Sequence, residues 1–273
     1  MFVALSAIRP SARAQFASGV SLVEVYATVT DGRGEPVKGL TQEDFLVDED
    51  GERQTLRAFA AGDVPLALAI GIDRSFSVTA AGLKTVKVAV GRLLDALRDD
   101  DKAVLVAIGS ETEVLAPLSS DRREARAALD RLEPWGTTPL YDATLSAVDA
   151  IQSAAGRRAL ILISDGSDRY SHATAPEVLD RVRKQDVMIY PIALGRVRPE
   201  VFVELATVTG GRSFQVNDPG NLTATLTTIA KELREQYLLG YAPAEARRGW
   251  HSIQVRVNRS DARVRARDGY SLP

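Results

Sequence analysis

The sequence predicts an α/β fold, in which a largely parallel central sheet carries helices on both faces and a small β-sandwich-like module lies beside it. Three observations support this prediction. Apolar runs that end in polar residues, at residues 66–72 and 159–163, are typical of strands covered on both faces. Strand and helix patterns alternate from residue 65 to about residue 237. The flanks on either side of this region have strand character instead.

The N-terminal flank, residues 20–61, is predicted to be a β segment. Apolar residues alternate with polar ones over residues 23–29, and the run closes in the turn-forming residues 31–34. The same alternation returns at residues 45–49, and a further extended piece is expected at residues 54–59. Several short strands are therefore expected before the α/β region begins.

Residues 62–237 are predicted to form the α/β domain. Apolar residues at helical spacing mark its first helix, and they are Leu83, Val86, Val90, Leu93, Leu94 and Leu97. Further strands are expected at residues 103–108 and 187–194. Further helices are expected at residues 122–132, 176–184, 200–209 and 221–237.

The C-terminal flank, residues 238–273, returns to strand character. Strands are expected at residues 237–241, 253–257 and 264–266, with residues 259–262 as a hairpin turn. Segments this short make poor independent domains. We therefore predict that the N- and C-terminal strands pair with each other in one β-sandwich-like module.

Length and composition exclude several classes of function. A chain of 273 residues with 45% hydrophobic residues can bury the core of one α/β domain and a smaller module. The formal net charge of −2 carries no signature for nucleic acid or for an anionic membrane. The chain has no cysteine, which excludes disulfides, thiolate metal sites and cysteine nucleophiles. Overall charge therefore does not identify the partner.

Residues 1–19 are predicted to be a residual signal peptide or a disordered N-terminus. Residues 2–8 form a short apolar run, and Ala12-Arg13-Ala14 has the small-x-small form of a signal-peptidase site. Because the charged start of a signal is missing, we expect its true start to lie upstream. The pattern predicts a secreted or cell-envelope protein, periplasmic or extracellular. No later stretch is apolar for long enough to be a transmembrane segment.

A cluster of oxygen-bearing side chains follows the first buried run. Asp73, Ser75 and Ser77 come directly after residues 66–72, where ligands collect in parallel sheets. Carboxylate and hydroxyl oxygens are the ligands of hard cations, and magnesium is the expected ion. The alternative is that these polar residues fill an ordinary strand-to-helix turn and cap the next helix.

Two further loops are expected at the same edge of the sheet. Residues 159–163 form another apolar run, which ends in Ser164-Asp165-Gly166 and places a second carboxylate at a strand end. Between the two acidic loops, residues 136–140 carry two threonine hydroxyls and precede a helical pattern. Three loops are therefore predicted to meet at one rim of the sheet.

The order Asp-x-Ser-x-Ser, Gly-x-Thr and Asp-Gly resembles the metal-ion-dependent adhesion site of a von Willebrand factor type A (VWA) domain, which implies a Rossmann-like fold. By this resemblance the serine and threonine hydroxyls would touch the ion, and the two aspartates would hold it directly or through water. A sixth position would stay open for an acidic residue of a protein partner. The ion would be Mg²⁺, or else Mn²⁺ or Ca²⁺. The implied ligands are Asp73, Ser75, Ser77, Thr138 and Asp165.

The resemblance also covers the flanks and the surroundings of the site. Residues 20–59 and 237–270 look like the flanks of the acidobacterial group of VWA-related proteins. Thr138 is matched by counting back from the helix start that follows it, with Thr137 as the alternative. Three residues are expected at the partner-binding rim: Arg74, Phe76 and Trp135. Phe76 departs from the small residue common at its position in the family, and it could narrow the rim.

The sequence thus predicts a non-enzymatic adhesion module that binds a protein partner through a metal ion. One alternative is a structural component of an envelope assembly with a vestigial metal site. A remote alternative is a magnesium-dependent phosphatase with Asp73 as its nucleophile, but Ser75 stands where such enzymes usually place a second carboxylate. His172 and His251, the only histidines, are expected at the surface of different modules, which disfavours a histidine-based site.

Nucleic-acid binding is the third class of function to weigh. It is suggested by a series of arginines near the C-terminus: Arg256, Arg259, Arg263, Arg265 and Arg267. Alternating arginines on the outward face of a hairpin are also a common solvated edge that discourages strand addition. The sequence favours this second interpretation, and we expect no nucleic-acid partner.

Overall fold

The computed structural model describes residues 22–62, 64–243 and 247–272. The predicted leader, residues 1–19, lies outside this part of the chain. The strands are β1 (Val23–Thr30), β2 (Phe45–Glu49), β3 (Glu52–Gln54), β4 (Leu56–Ala61), β5 (Leu66–Asp73), β6 (Lys102–Ile108), β7 (Thr112–Ser119), β8 (Arg157–Ser164), β9 (Met188–Leu194), β10 (Phe214–Val216), β11 (Tyr237–Tyr241), β12 (Gly249–Val257), β13 (Arg263–Arg265) and β14 (Gly269–Leu272). The α-helices are α1 (Ala80–Ala96), α2 (Arg123–Arg131), α3 (Leu140–Asp149), α4 (Ala175–Arg183), α5 (Glu200–Thr209) and α6 (Leu222–Arg234).

The central sheet has six strands in the order β10-β9-β8-β5-β6-β7. All neighbours run parallel except β7, which pairs antiparallel with β6 at one edge. Every residue of β5 is buried, as expected for a strand covered on both faces. The predicted Rossmann-like fold is confirmed, while the two edge strands β7 and β10 are additions that the sequence patterns did not reveal.

Helices cover both faces of this sheet and exclude water from it. One apolar core joins the sheet to α1, α2 and α6, and a second core joins its other face to α3, α4 and α5. The predicted stripe of α1 is confirmed, because its members within the helix are all buried and Leu97, just after the helix, is buried too. The helix begins after Thr79, whose hydroxyl accepts a hydrogen bond from the backbone N–H of Gly82 at 3.1 Å.

The flanking strands form two further four-stranded sheets, in the orders β13-β1-β11-β4 and β14-β12-β2-β3. N- and C-terminal strands alternate in the first sheet, and in the second sheet C-terminal β12 pairs with N-terminal β2, so the predicted pairing of the flanks is confirmed. The two sheets share one apolar core. At its centre the ring of Phe45 lies 5.0 Å from that of Tyr237 and 5.9 Å from that of Phe59.

The hairpin predicted at residues 259–262 is wrong. β12 pairs with β2 and β14, whereas β13 pairs with β1 in the other sheet, so this segment crosses between the two sheets. The expectation of an outward arginine edge fails with it for two residues. Arg265 donates to the backbone carbonyl of Gly211 at 2.8 Å, and Arg267 donates to that of Glu24 at 2.6 Å. These guanidinium groups bridge segments of the fold, and local patterning carries no information on such pairing.

A buried ion pair stabilises the α/β domain close to the point where the chain enters strand β11 of the sandwich. Asp101 is fully buried, and its carboxylate accepts hydrogen bonds from the backbone N–H groups of Leu66 and Arg98. Arg234, at the end of α6, donates to the same carboxylate, with one N–O distance of 3.0 Å. Strand β11 of the sandwich begins three residues later.

Among the described residues, no helix has the length and apolar character needed to cross a membrane.

Candidate metal centre

Asp73 is the last residue of β5, in the interior of the central sheet, and its carboxylate is 1% exposed. Both carboxylate oxygens are held by hydrogen bonds. The backbone N–H of Ser75 donates to Oδ1 at 2.9 Å, and the hydroxyl of Ser164 donates to Oδ2 at 2.6 Å. Each oxygen keeps a further lone pair, so the fixed carboxylate can still accept a ligand from above the strand end.

The loop after Asp73 brings the two predicted serine hydroxyls together. The Oγ atoms of Ser75 and Ser77 lie 2.9 Å apart. Ser75 is buried, whereas Ser77 is exposed. The pair therefore extends from the carboxylate of Asp73 towards solvent, as a set of oxygen ligands open on one side requires.

The second predicted loop lies directly on the first. The backbone N–H of Phe76 donates to the carbonyl of Gly136 at 3.1 Å, and that of Trp135 donates to the carbonyl of Arg74 at 2.7 Å. Gly136 has φ +83°, and a Cβ atom there would lie 2.3 Å from the backbone nitrogen of Ser110. Only glycine allows this approach, which places the following threonines over the rim.

Thr138 and Thr137 differ in their surroundings. The side chain of Thr138 is buried, and its carbonyl accepts a hydrogen bond from the backbone N–H of Arg169, in the loop after β8, at 2.7 Å. Thr137 is half-buried, and its backbone N–H donates to the hydroxyl of Ser110 at 3.2 Å. Thr138 therefore occupies the interior of the rim, at the junction of the second and third loops.

The third loop carries Asp165, which follows directly on β8. Its Oδ1 accepts a hydrogen bond from the backbone N–H of Ser167 at 2.8 Å, which orients the half-buried carboxylate. All three predicted loops thus meet at one edge of the sheet. We call the five residues Asp73, Ser75, Ser77, Thr138 and Asp165 the rim site.

The electrostatics of the rim site fit a bound cation. Burial raises the pKa of Asp73 above its ordinary value, hydrogen bonds from Ser164 and Ser75 oppose that rise, and the negative charge of Asp165 adds to it. The charged form of Asp73 is therefore under-compensated by the protein alone. Two carboxylates with neutral hydroxyls are the donor set of a hard dication, so the residues present fit Mg²⁺, Mn²⁺ or Ca²⁺.

Exposed aromatic side chains surround the rim site. Phe76 is 73% exposed, so its ring points to solvent and does not fill the site. Trp135 is 43% exposed and stacks with the guanidinium of Arg74 at 5.1 Å. Arg74 also pairs with Glu113 at 3.0 Å, which offsets its charge beside the site. Tyr170, on the third loop, is 80% exposed and adopts a left-handed φ of +70°.

Sequence reasoning missed several residues that hold the rim in place. Ser164 positions Asp73, and Ser110 anchors the second loop. Asp142 in α3 accepts hydrogen bonds from the backbone N–H groups of His172 at 2.8 Å and Ala173 at 3.0 Å. Ser164 was detectable as a hydroxyl directly before Asp165, but the contacts of Ser110 and Asp142 join distant segments and leave no local signal.

The prediction that both histidines lie at the surface is half wrong. The side chain of His172 is 99% exposed and contacts Asp142. His251 is 2% exposed, in strand β12 of the sandwich, where it contacts Glu49 and Asp50. Residue 251 lies outside the strand predicted at residues 253–257, but β12 begins at Gly249, and its pairing with β2 and β14 encloses His251.

The profile of the von Willebrand factor type A domain matches residues 68–229, and the chain belongs to this family. Human calcium-activated chloride channel regulator 4 is 29% identical over 103 residues, which cover 37% of this chain. The aligned part is 11% of the human protein, so the chain spans a small part of that relative's length.

Solved VWA structures share this fold at low sequence identity. The von Willebrand factor type A protein from Catenulispora acidiphila has a TM-score of 0.57 at 13% identity, covering 90% of this chain and 71% of that chain. Proximal thread matrix protein 1 from the mussel byssus, with a zinc-occupied MIDAS motif, has a TM-score of 0.54 at 16% identity. That match covers 68% of this chain and 49% of the mussel protein. VWA domains generally mediate metal-dependent protein interactions.

Proposed function

We propose that this protein captures an acidic group of a protein partner through a divalent cation held at the rim site. The observation that carries the proposal is the meeting of three separate loops, which places two carboxylates and three hydroxyl-bearing residues at one edge of the sheet. Asp73, Ser75, Ser77, Thr138 and Asp165 would hold the ion. A bound dication would supply an electrophile that accepts a carboxylate from the partner.

The mechanism assigns different tasks to the residues of the rim. Asp73 is fixed by Ser164 and Ser75, so it supplies charge from a constant position. Ser75 and Ser77 supply neutral oxygens, which leave a bound dication electrophilic. The exposed rings of Phe76 and Trp135 would provide apolar contact around the coordinated group.

A binding role is favoured over an enzymatic one by the partners of the hydroxyl groups. Ser75 and Ser77 bond to each other, and no hydrogen bond among the described residues connects either hydroxyl to a histidine. A serine nucleophile needs such a base. The phosphatase interpretation needs a second carboxylate two residues after Asp73, and Ser75 occupies that position. We further propose a secreted or envelope location, on the basis of the signal-like pattern in residues 1–19.

Thermal unfolding with EDTA, Mg²⁺ and Mn²⁺ tests the metal assignment. Binding to the folded state raises its stability, by about 2.7 kcal/mol at a ligand concentration 100 times the Kd. We expect both ions to raise the Tm of the native sequence and neither to raise that of Asp165→Ala or Asp73→Asn. Asp121→Asn, an exposed carboxylate elsewhere in the α/β domain, is the matched control and should respond like the native sequence.

The structural alternative predicts that partner binding does not depend on a metal ion. We propose to compare proteins retained from envelope extract by the immobilised chain in Mg²⁺ and in EDTA. Retention that disappears in EDTA and in Asp73→Asn supports capture through the ion. Identical retention in all conditions would reject the rim site and favour a structural component with a vestigial site. A Tm that does not change with Mg²⁺ or Mn²⁺ would do the same.

A further inference from the structure

A second cluster of potential metal ligands lies in the sandwich, outside the rim site. The Nδ1 atom of His251 lies 3.0 Å from Oδ2 of Asp50 and 3.2 Å from Oε1 of Glu49. The three ligand atoms lie within 4.8 Å of one another. Glu49 ends strand β2, Asp50 begins the turn that follows, and His251 lies on the paired strand β12. We call these three residues the sandwich cluster.

The second ring nitrogen of His251 fixes the orientation of the imidazole. Nε2 lies 2.7 Å from the backbone carbonyl of Arg247, which can only accept a hydrogen bond, so Nε2 carries a proton. In the neutral ring Nδ1 then presents a lone pair to two carboxylates. Three acceptors facing one another need a cation between them, either a proton or a metal ion. Donation from the far nitrogen to a backbone carbonyl is the usual support of a metal-bound histidine.

A buried carboxylate oxygen at the cluster has unmet bonding capacity, independently of the three converging atoms. Oε2 of Glu49 is buried and has no hydrogen-bond partner among the described residues. The buried hydroxyl of Tyr241 faces Glu49 and is the neighbouring neutral group that can donate to this carboxylate. Oε1 of Glu49 accepts a bond from the hydroxyl of Tyr270 at 3.2 Å. A carboxylate 6% exposed with a bare oxygen is costly unless a cation compensates it.

We propose that Glu49, Asp50 and His251 form a second metal site, for a dication of the zinc type. Zinc binds imidazole nitrogen and carboxylate oxygen at roughly 2.0–2.2 Å in tetrahedral geometry, which separates the ligand atoms by about 3.3 Å. The two distances from Nδ1, 3.0 and 3.2 Å, are close to that separation. One nitrogen and two carboxylates suit zinc better than magnesium, which prefers oxygen alone.

Asp50 is the proposed ligand that solvent can reach, and hydrogen bonds fix its orientation. Its side chain is 29% exposed, while those of Glu49 and His251 are almost fully buried. It adopts a left-handed φ of +50°, which is uncommon for a residue other than glycine. Its Oδ1 accepts hydrogen bonds from the N–H of Ser252 at 2.8 Å and from the hydroxyl at 3.1 Å. Oδ2 is thereby turned towards His251.

A proton is the competitor for the same position. The hydrogen bond to the carbonyl of Arg247 raises the pKa of His251, burial opposes the rise, and the carboxylates of Asp50 and Glu49 add to it. Arg247 also pairs with Oδ2 of Asp50 at 3.0 Å. An oxygen with two lone pairs can accept this bond and still coordinate an ion. If a proton alone holds the cluster, zinc does not bind in a direct titration. If the cluster is a metal site, zinc binds.

The test is a calorimetric zinc titration of the full chain carrying Asp73→Asn, which removes the rim site. We expect one equivalent of Zn²⁺ to bind. Addition of Asp50→Asn or His251→Gln should weaken that binding at least about 10-fold, since loss of a supporting group alone costs 10–100-fold. Glu52→Gln, an exposed carboxylate at the start of β3 directly after the same turn, is the matched control and should bind zinc unchanged. Co²⁺ in place of Zn²⁺ should give visible absorption bands that His251→Gln removes.

Three results would overturn the proposal: no zinc binding to the Asp73→Asn chain, binding that survives Asp50→Asn, or equal weakening by Glu52→Gln. The first would mean that a proton alone holds the cluster. If His251→Gln fails to fold, as judged by loss of its cooperative thermal transition, Asp50→Asn decides the question because this carboxylate is partly exposed. The background variant keeps the outcome separate from that of the rim site.

Discussion

The rim site and the sandwich cluster gather acidic groups by different means. The rim site uses oxygen atoms from three loops that meet at one edge of the central sheet, and two of these loops follow the parallel strands β5 and β8. The sandwich cluster adds an imidazole and depends on pairing between β2 and β12, which brings Asp50, next to the end of β2, to His251, 201 residues away. Carboxyl ends of parallel strands bring loops together whatever the loops contain. A site between antiparallel strands that are far apart in sequence forms only when the two strands pair in the correct register.

The two regions also differ in how their charge is compensated. Hydrogen bonds from neutral groups hold Asp73, and its pKa stays raised. In the sandwich cluster, Asp50 contacts the guanidinium of Arg247 and the imidazole of His251, and hydrogen bonds from Ser252 lead the causes that lower its pKa. The rim site therefore depends on an external cation more than the sandwich cluster does. Substitutions in the two regions should therefore have different effects.

Phe45→Ala should have the largest effect, because it removes a ring from the centre of the sandwich core. We expect a loss of about 3–5 kcal/mol in the free energy of unfolding, measured by urea denaturation. Phe45 and Glu49 share strand β2, so zinc binding at the sandwich cluster should weaken as well. Magnesium binding at the rim site should survive below the new transition. Equal loss at both sites would show that the two regions do not act separately.

Asp101→Asn should destabilise the chain by about 3 kcal/mol, because it leaves the guanidinium of Arg234 without its buried counter-charge. Both partners belong to the α/β domain, whose core packs α6 against the central sheet, and we expect calorimetry to record one transition, shifted to lower temperature. Lys84→Gln, on the exposed surface of α1, should leave the Tm unchanged as a control. Two separate transitions would instead mean that the weakened α/β domain unfolds independently of the sandwich.

The same pair predicts a pH dependence. Burial tends to raise the pKa of Asp101, but hydrogen bonds from Arg234 and from the backbone N–H groups of Arg98 and Leu66 outweigh it and hold that pKa below its ordinary value. A lowered pKa in the folded state contributes stability above the unfolded pKa of about 3.9, and this is lost as the pH falls through the folded value. The stability of the native sequence should therefore fall more steeply below pH ~4 than that of Asp101→Asn. Parallel curves would contradict the assignment.

Phe76→Ser should have the smallest effect on stability, within about 0.5 kcal/mol, because the ring is exposed. Affinity for magnesium should also stay unchanged, since the ring does not fill the rim site. Retention of a partner in Mg²⁺ should weaken if the aromatic rim contributes contact. A change in metal affinity with unchanged retention would place the ring at the ion rather than at the partner. Val114→Ser, an exposed apolar residue of β7, is the control.

Much of the fold could be predicted from the sequence because its signals are local. The buried strands β5 and β8 are uninterrupted apolar runs, and α1 has a regular stripe. The edge strand β7 is half-exposed and contains a proline, so it lacks the pattern of its neighbours. The crossing of the chain between β12 and β13 looks like a hairpin locally, and only the pairing partners of the two strands reveal the difference.

The candidate sites also differ in how far their signals are local in sequence. Asp73, Ser75 and Ser77 are adjacent in sequence, so their convergence could be predicted from one strand end. Ser164 supports the rim from a position directly before Asp165, whereas Ser110 does so through a contact between distant segments that nothing near it in sequence indicated. His251 was expected at the surface, outside the strand predicted at residues 253–257. Its burial results from strands that pair on both of its sides.

The pairing of N-terminal with C-terminal strands in both sheets of the sandwich has a consequence for synthesis on the ribosome. Asp48 and Arg256, which pair across β2 and β12, are 208 residues apart. When β1 to β4 leave the exit tunnel, none of their C-terminal partners has been made, while every strand of the α/β sheet precedes β11. The α/β domain can therefore fold first, with an apolar N-terminal segment still unpaired. A chaperone that shields residues 23–61 during this interval would protect the chain from aggregation.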